Sequence, residues 1–164
     1  MTPSPFPQRD PHAVARFVER FALAMADAGI PRMPARVLVA LLATDSGRLT
    51  AAELAEFLQV SPAAVSTAVR YLEQLNMVAR ERRPGSRREH YRLLDDLWYE
   101  AGARRDQLLD RWEATAREGV EVLGRDTPAG ARMAEAVAYL AFTNEELPKL
   151  LARWHERRAE LGFG

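Results

Sequence analysis

A chain of 164 residues, 48% apolar and 28% charged, is one domain with at most a short extension. It can bury about 70% of the surface its unfolded form exposes, so it needs no staple. Its lack of cysteine excludes disulfides, thiolate metal sites, iron–sulfur clusters and a cysteine nucleophile. The balance of 23 Lys+Arg against 23 Asp+Glu, taken alone, argues against gripping nucleic acid by bulk charge. The longest apolar runs, 37–43 and 136–142, fall far short of the ~20 residues of a membrane span. The N-terminus lacks the basic start and apolar core of a secretory signal. The chain therefore reads as soluble, membrane-free and cytoplasmic.

Pro3, Pro5, Pro7 and Pro11 crowd the start, so residues 1–10 are expected to form a disordered or loosely docked arm. From His12 a stripe of Val14, Phe17, Val18, Phe21, Ala22 and Met25 at helical spacing predicts a helix that Gly29 and Pro31 end. Its apolar residues suit either the chain's own core or a dimer interface, which makes 11–30 a candidate dimerisation helix. A second helix should follow Pro34, covered on most sides because its apolar run is continuous, and stop at Asp45-Ser-Gly47.

Thr50-Ala-Ala-Glu53 is a capping box that opens a short helix ending near Leu58. After the tight Gln59-Val60 connection, Ser61-Pro62 caps and starts another helix, which runs to about Asn76 with Val65, Ala68, Val69, Leu72 and Leu75 inward. Two extended stretches, 77–82 and 88–93, flank Arg83-Pro84-Gly85-Ser86, a type II turn signature, and predict a β-hairpin. Asp95 and Asp96 should cap a helix of about 28 residues, roughly 42 Å long. Gly124 to Pro128 breaks it. Two further helices follow, the first carrying Met133, Val137 and Leu140, the last carrying Leu147, Leu150, Leu151, Trp154 and Leu161, with Pro148 near their junction.

Two capped helices joined by a short turn make a helix-turn-helix, and the basic hairpin after them makes it winged. The fold class is therefore mainly α, a winged helix-turn-helix over 31–94 with helices before it and over 95–164. The second helix begins with small residues, Ser61, Ala63, Ala64, Ser66 and Thr67, which suit entry into a major groove ~12 Å wide. Arg70 can reach a guanine edge or a phosphate. Tyr71 and Gln74, a turn further on, suit backbone or protein contact. Arg82, Arg83, Arg87 and Arg88 flank the wing tip, where the adjacent minor groove would lie. Thr50 joins them as a candidate contact at the start of the motif. The charge balance also divides by segment: residues 61–93 hold seven Arg and three Glu, or +4, while 94–164 hold ten bases and fourteen acids, or −4.

Five segments together resemble the MarR superfamily, and most of all its GbsR-like branch. They are Arg32-Met-Pro-Ala-Arg-Val37, Leu49-Thr-Ala-Ala-Glu-Leu-Ala-Glu56, Val60-Ser-Pro-Ala-Ala-Val-Ser66, Ala68-Val-Arg-Tyr-Leu72 and Glu81-Arg-Arg-Pro-Gly-Ser-Arg-Arg88. The resemblance is strongest over residues 17–99. It implies a transcriptional regulator, a homodimer built by the first and last helices that presents two winged motifs to a palindromic operator in double-stranded DNA. Phe17, Phe21, Met25, Trp112, Leu150 and Trp154 are the candidate interface. It also leaves room for a small-molecule effector between the two lobes. Trp98, Tyr99, Trp112, Tyr139, Phe142 and Trp154 could form an aromatic ligand cage, although aromatic residues at helical spacing more often pack a core or interface. The histidines lack partners at metal-ligand spacing, and His90, in the wing, suits phosphate or solvent. No catalytic motif and no cofactor motif occurs. The rival to DNA binding is a winged-helix protein-interaction module, which would use the same helix against a partner protein.

Overall fold

The computed structural model describes residues 9–82 and 89–163, apart from the side chains at 100 and 104–107. The chain divides into two compact units, Met1–Leu97 and Trp98–Gly164.

The first unit opens with α1 (Pro11–Asp27), capped by the Asp10 carboxylate, which accepts from the His12 amide at 2.9 Å. Arg9 donates to the Ala43 carbonyl at 2.6 Å and pairs with Asp45. Of the expected arm, Arg9 and Asp10 are tied down, one by an ion pair and one by the cap, while residues 1–8 lie outside the described ones. Helix α2 (Arg32–Ala43) starts two residues before Pro34 and takes that proline into its first turn, where a missing N–H removes no helical bond. Val37 to Leu41 are wholly buried, so the unbroken apolar run belongs to the helix on which the unit is built. Val18 and Ala22 of α1 share that core with residues of the elements that follow.

Strand β1 (Arg48–Thr50) leads into α3 (Ala51–Leu58), and α4 (Pro62–Gln74) follows three residues later. Strands β2 (Val78–Arg82) and β3 (Glu89–Leu93) form the predicted hairpin, and the turn between them lies outside the described residues. The sheet has three strands in the order β1-β3-β2, all antiparallel, with Leu49 and Arg80 opposite Tyr91 and with Thr50 and Glu81 opposite His90. Nothing in the sequence pattern announces β1. Three residues with one apolar side chain carry no period to detect, and the strand exists only because β3 offers a free edge.

The second unit is an antiparallel pair of helices, since α5 (Leu97–Leu123) enters it and α6 (Pro128–Glu160) returns alongside. Tyr99 meets His155, Gly102 lies under Leu151, Glu113 bonds to Asn144 and Gly119 lies against Met133. The turn is built as anticipated: Gly124 takes φ 82°, and Thr127 caps α6 by accepting from the Gly130 amide at 3.0 Å. Two helices were expected after residue 128, but α6 is one helix of 33 residues with Pro148 inside it. Proline costs it one bond to the carbonyl four residues back. Lys149 donates to Glu145 at 2.8 Å and Glu146 at 2.9 Å, exposed pairs that favour helix across the proline by only a few tenths of a kcal/mol each. Among the described residues no helix is long and apolar enough to cross a membrane.

Candidate nucleic-acid interface

The helix-turn-helix is set by local hydrogen bonds that the sequence encodes. The Thr50 hydroxyl accepts from the Glu53 amide at 3.2 Å, and the Glu53 carboxylate accepts from the Thr50 amide at 2.7 Å. At the other end of α3, Gln59 adopts φ 53°, a left-handed turn that lets the Val60 amide donate to the Ala55 carbonyl at 3.0 Å. Ser61 then accepts from the Ala64 amide at 3.2 Å, and Pro62 occupies the first helical position of α4. Each cap of this kind stabilises its helix by about 1 kcal/mol.

The angle between the helices is held by apolar packing, since Val65, Ala68, Val69 and Leu72 of α4 are buried, as are Leu54 and Leu58 of α3. One further anchor is ionic. Arg36 of α2 donates from Nε to Glu19 of α1 at 2.7 Å and from Nη2 to the Leu58 carbonyl at the end of α3 at 2.9 Å. Sequence reasoning placed Arg36 only inside a family-like segment. Its partners are seventeen and twenty-two residues away, beyond the reach of any local pattern.

This packing leaves one face of α4 to solvent. Ala63, Thr67, Arg70 and Gln74 are exposed and recur at helical spacing, with Ser66 and Tyr71 half-buried at their edge. Ser61 is exposed at the N-terminus and Ala64 is half-buried. Among the described residues Arg70 has no ion pair, so its guanidinium is open to a ligand. Thr50 is a correction. It is only 9% exposed, and its hydroxyl donates to Glu53 at 2.8 Å, so it has no proton to offer a phosphate.

The wing carries the second set of cations. Arg82, at the end of β2, has a side chain 78% exposed, 3.7 Å from Glu89. Arg83, Arg87 and Arg88 lie outside the described residues. Arg80 is engaged by Glu73 at 2.8 Å and 3.1 Å, and that hydrogen bond holds the guanidinium pKa above its ordinary value. Arg48 of β1 lies 3.5 Å from Glu81. His90 lies in the wing as expected, on β3 between β1 and β2, half-buried with Nδ1 shielded, which makes it a poor phosphate contact.

The candidate interface residues divide. Phe17 is 47% exposed and lies tilted against Phe21 with ring centroids 6.0 Å apart, and in the second unit Trp112 is 56% and Leu150 59% exposed. Trp154 is half-buried. Met25 is buried inside its own unit at 8% exposure, so it serves the chain's core and is not open to a partner. Among the described residues no group of three or more His, Asp or Glu side chains could hold a metal ion.

Comparison with known proteins bears on both units. A MarR family model matches residues 28–89, the span of the helix-turn-helix and most of the wing. A second, for MmpR5-like MarR family transcriptional regulators, matches residues 96–157. The HTH-type transcriptional regulator MmpR5 of Mycobacterium tuberculosis (strain ATCC 25618 / H37Rv) is 27% identical over 148 residues, 90% of this chain and 90% of that protein. A crystal structure of a transcriptional regulator superposes with a TM-score of 0.78 at 26% identity, over 88% of this chain and 99% of that one. With the winged motif in place, two models of one family match successive parts of the sequence, and the chain is similar to winged-helix transcriptional regulators of the MarR family over both units.

Proposed function

We propose that this regulator binds a palindromic operator as a homodimer and represses transcription in the cytoplasm, with α4 in the major groove and the wing against the adjacent minor groove. The observation that carries this reading is the solvent face of α4. Small residues lead at its N-terminus, an open Arg70 follows, and the exposed Arg82 ends β2 just before the arginine-rich segment 83–88. In the DNA-bound dimer the two α4 helices would lie ~34–36 Å apart, one helical turn of the duplex. Exposed apolar side chains support dimerisation: Phe17 and Phe21 in the first unit, Trp112, Tyr139, Phe142 and Leu150 in the second. Regulation by a small-molecule effector belongs to the same proposal. At branch level the entry segment and wing resemble GbsR-like regulators, while the C-terminal part matches the MmpR5-like model.

Selection of duplexes from genomic fragments tests the assignment of α4. Arg70→Ala and Ser66→Ala should each relax preference at particular base pairs, by about 1–3 kcal/mol where a side chain contacts a base edge. Unchanged sequence preference in both variants would remove α4 from the role of reader.

A further inference from the structure

Arg80 belongs by sequence to the basic block, yet its guanidinium is occupied within the protein. Nε donates to Glu73 Oε1 at 2.8 Å and Nη2 to Glu73 Oε2 at 3.1 Å. Nη1 lies 3.7 Å from Glu89 Oε2, and the guanidinium carbon is 5.8 Å from the centroid of the Tyr91 ring. These partners belong to different elements. Glu73 is in the last turn of α4, Arg80 is on β2, and Glu89 and Tyr91 are on β3. Tyr91 is buried, so its ring gives the guanidinium a fixed surface to lie on. A two-pronged arginine–carboxylate contact sets orientation as well as distance, which a lysine in its place would not do.

We propose that Glu73 and Arg80 are a positioning pair that sets the recognition helix against the wing, so that one duplex meets both, and that Arg80 is not itself a DNA contact. The contrast with its neighbours supports this. Arg70 has no ion pair among the described residues, and the Arg82 side chain is 78% exposed with only Glu89 near it, whereas the Arg80 side chain is 41% exposed and makes two hydrogen bonds to Glu73, with Glu89 and the Tyr91 ring beside it. The inference rests on α4 and the wing meeting one duplex, a reading that the Arg70 and Ser66 variants test separately.

Glu73→Gln separates the possibilities by sign. It removes a negative charge from the motif, so bulk attraction alone would tighten binding to DNA. A positioning role demands the opposite. Dissociation constants are measured across a salt series for the full chain on the duplex that the wild type captures from genomic fragments, and on an unrelated duplex. Glu73→Gln and Arg80→Gln should each weaken the captured duplex about fivefold, the ceiling for an exposed pair of this kind. The double variant should be no worse than either single one, because both remove the same interaction. The salt slope of Arg80→Gln should match the wild type, whereas loss of a phosphate contact lowers it by about 0.9 per protomer. Arg80→Lys keeps the charge without the geometry. It should lose affinity with the slope unchanged, and it decides the matter if Arg80→Gln does not fold. Binding by Glu73→Gln as tight as the wild type or tighter, or a flattened slope in Arg80→Gln, would overturn the proposal.

Discussion

At the scale of single residues, the winged motif depends on side chains turned toward the protein's own interior. Arg36 is the plainest case. Its side chain is mostly buried, and it joins α1, α2 and the end of α3 through Glu19 and the Leu58 carbonyl. Its removal leaves that carbonyl without its donor and Glu19 without its cation. Glu19 is partly exposed, which screens the ionic part. Arg36→Ala should therefore destabilise the fold by about 1–3 kcal/mol, the range for hydrogen bonds to charged groups. Urea unfolding followed by far-UV circular dichroism checks this, and no shift in midpoint would mean the anchor is ornamental. Thr50 gives the same lesson in reverse. Its position at the start of the motif makes it a candidate contact, but the capping box that the sequence announces consumes its hydroxyl.

Elements with a local cause are legible in the sequence. The capping box of α3, the Ser61-Pro62 start of α4 and the Thr127-Pro128 start of α6 all form as their residues require. The short strand β1 and the continuity of α6 are not legible there, because the first depends on a distant edge and the second on contacts with α5 on both sides of the proline, at Asn144 before it and at Leu151 and His155 after it. The split of the first-helix stripe is hidden for a related reason. Helical spacing puts Val18, Phe21 and Met25 on one broad face, and only packing decides which half of it is covered. Gly130 is another feature visible only in three dimensions. A Cβ there would lie 1.9 Å from the Gly124 carbonyl oxygen, a backbone atom that cannot swing aside. Gly130→Ala should cost about 3 kcal/mol and lower the melting temperature, whereas unchanged stability would place the turn elsewhere. The pairing of α5 and α6 also carries a pH signature. Glu113 is held below the usual carboxylate range, first by the hydrogen bond from Arg117 and then by the one from Asn144, which spans the two helices at 2.7 Å. A carboxyl depressed by folding stabilises the fold above its unfolded value, about 4.3, and loses that contribution as pH falls through its folded value. Thermal melts should show the wild type falling more steeply than Glu113→Gln below about pH 4, with parallel behaviour between pH 5 and 7. A wild type and variant that track each other throughout would contradict the assignment.

For the whole molecule, the neutral balance of charges conceals a division of labour. The block 61–93 keeps its +4, but Arg80 is committed to Glu73 and Glu89 and the half-buried Arg92 donates to the Leu93 carbonyl, so among the described residues of that block the proposed duplex contacts are Arg70 on the solvent face of α4 and Arg82 on the wing. The stretch 94–164, at −4, supplies the acidic helices of the second unit, whose charge opposes indiscriminate binding to nucleic acid. Apolar side chains remain exposed around Phe17 in the first unit and around Trp112 and Leu150 in the second, and the proposed dimer would cover them. The central claim, that α4 reads DNA while the wing grips its backbone, is tested most directly by the salt dependence of operator binding in the Arg87→Ala plus Arg88→Ala double variant. The account predicts weaker binding to all duplexes and a salt slope flatter by up to about 1.8 per protomer, one counterion release for each arginine that meets a phosphate. A double variant that binds the operator as tightly as the wild type, with the same slope, would contradict it.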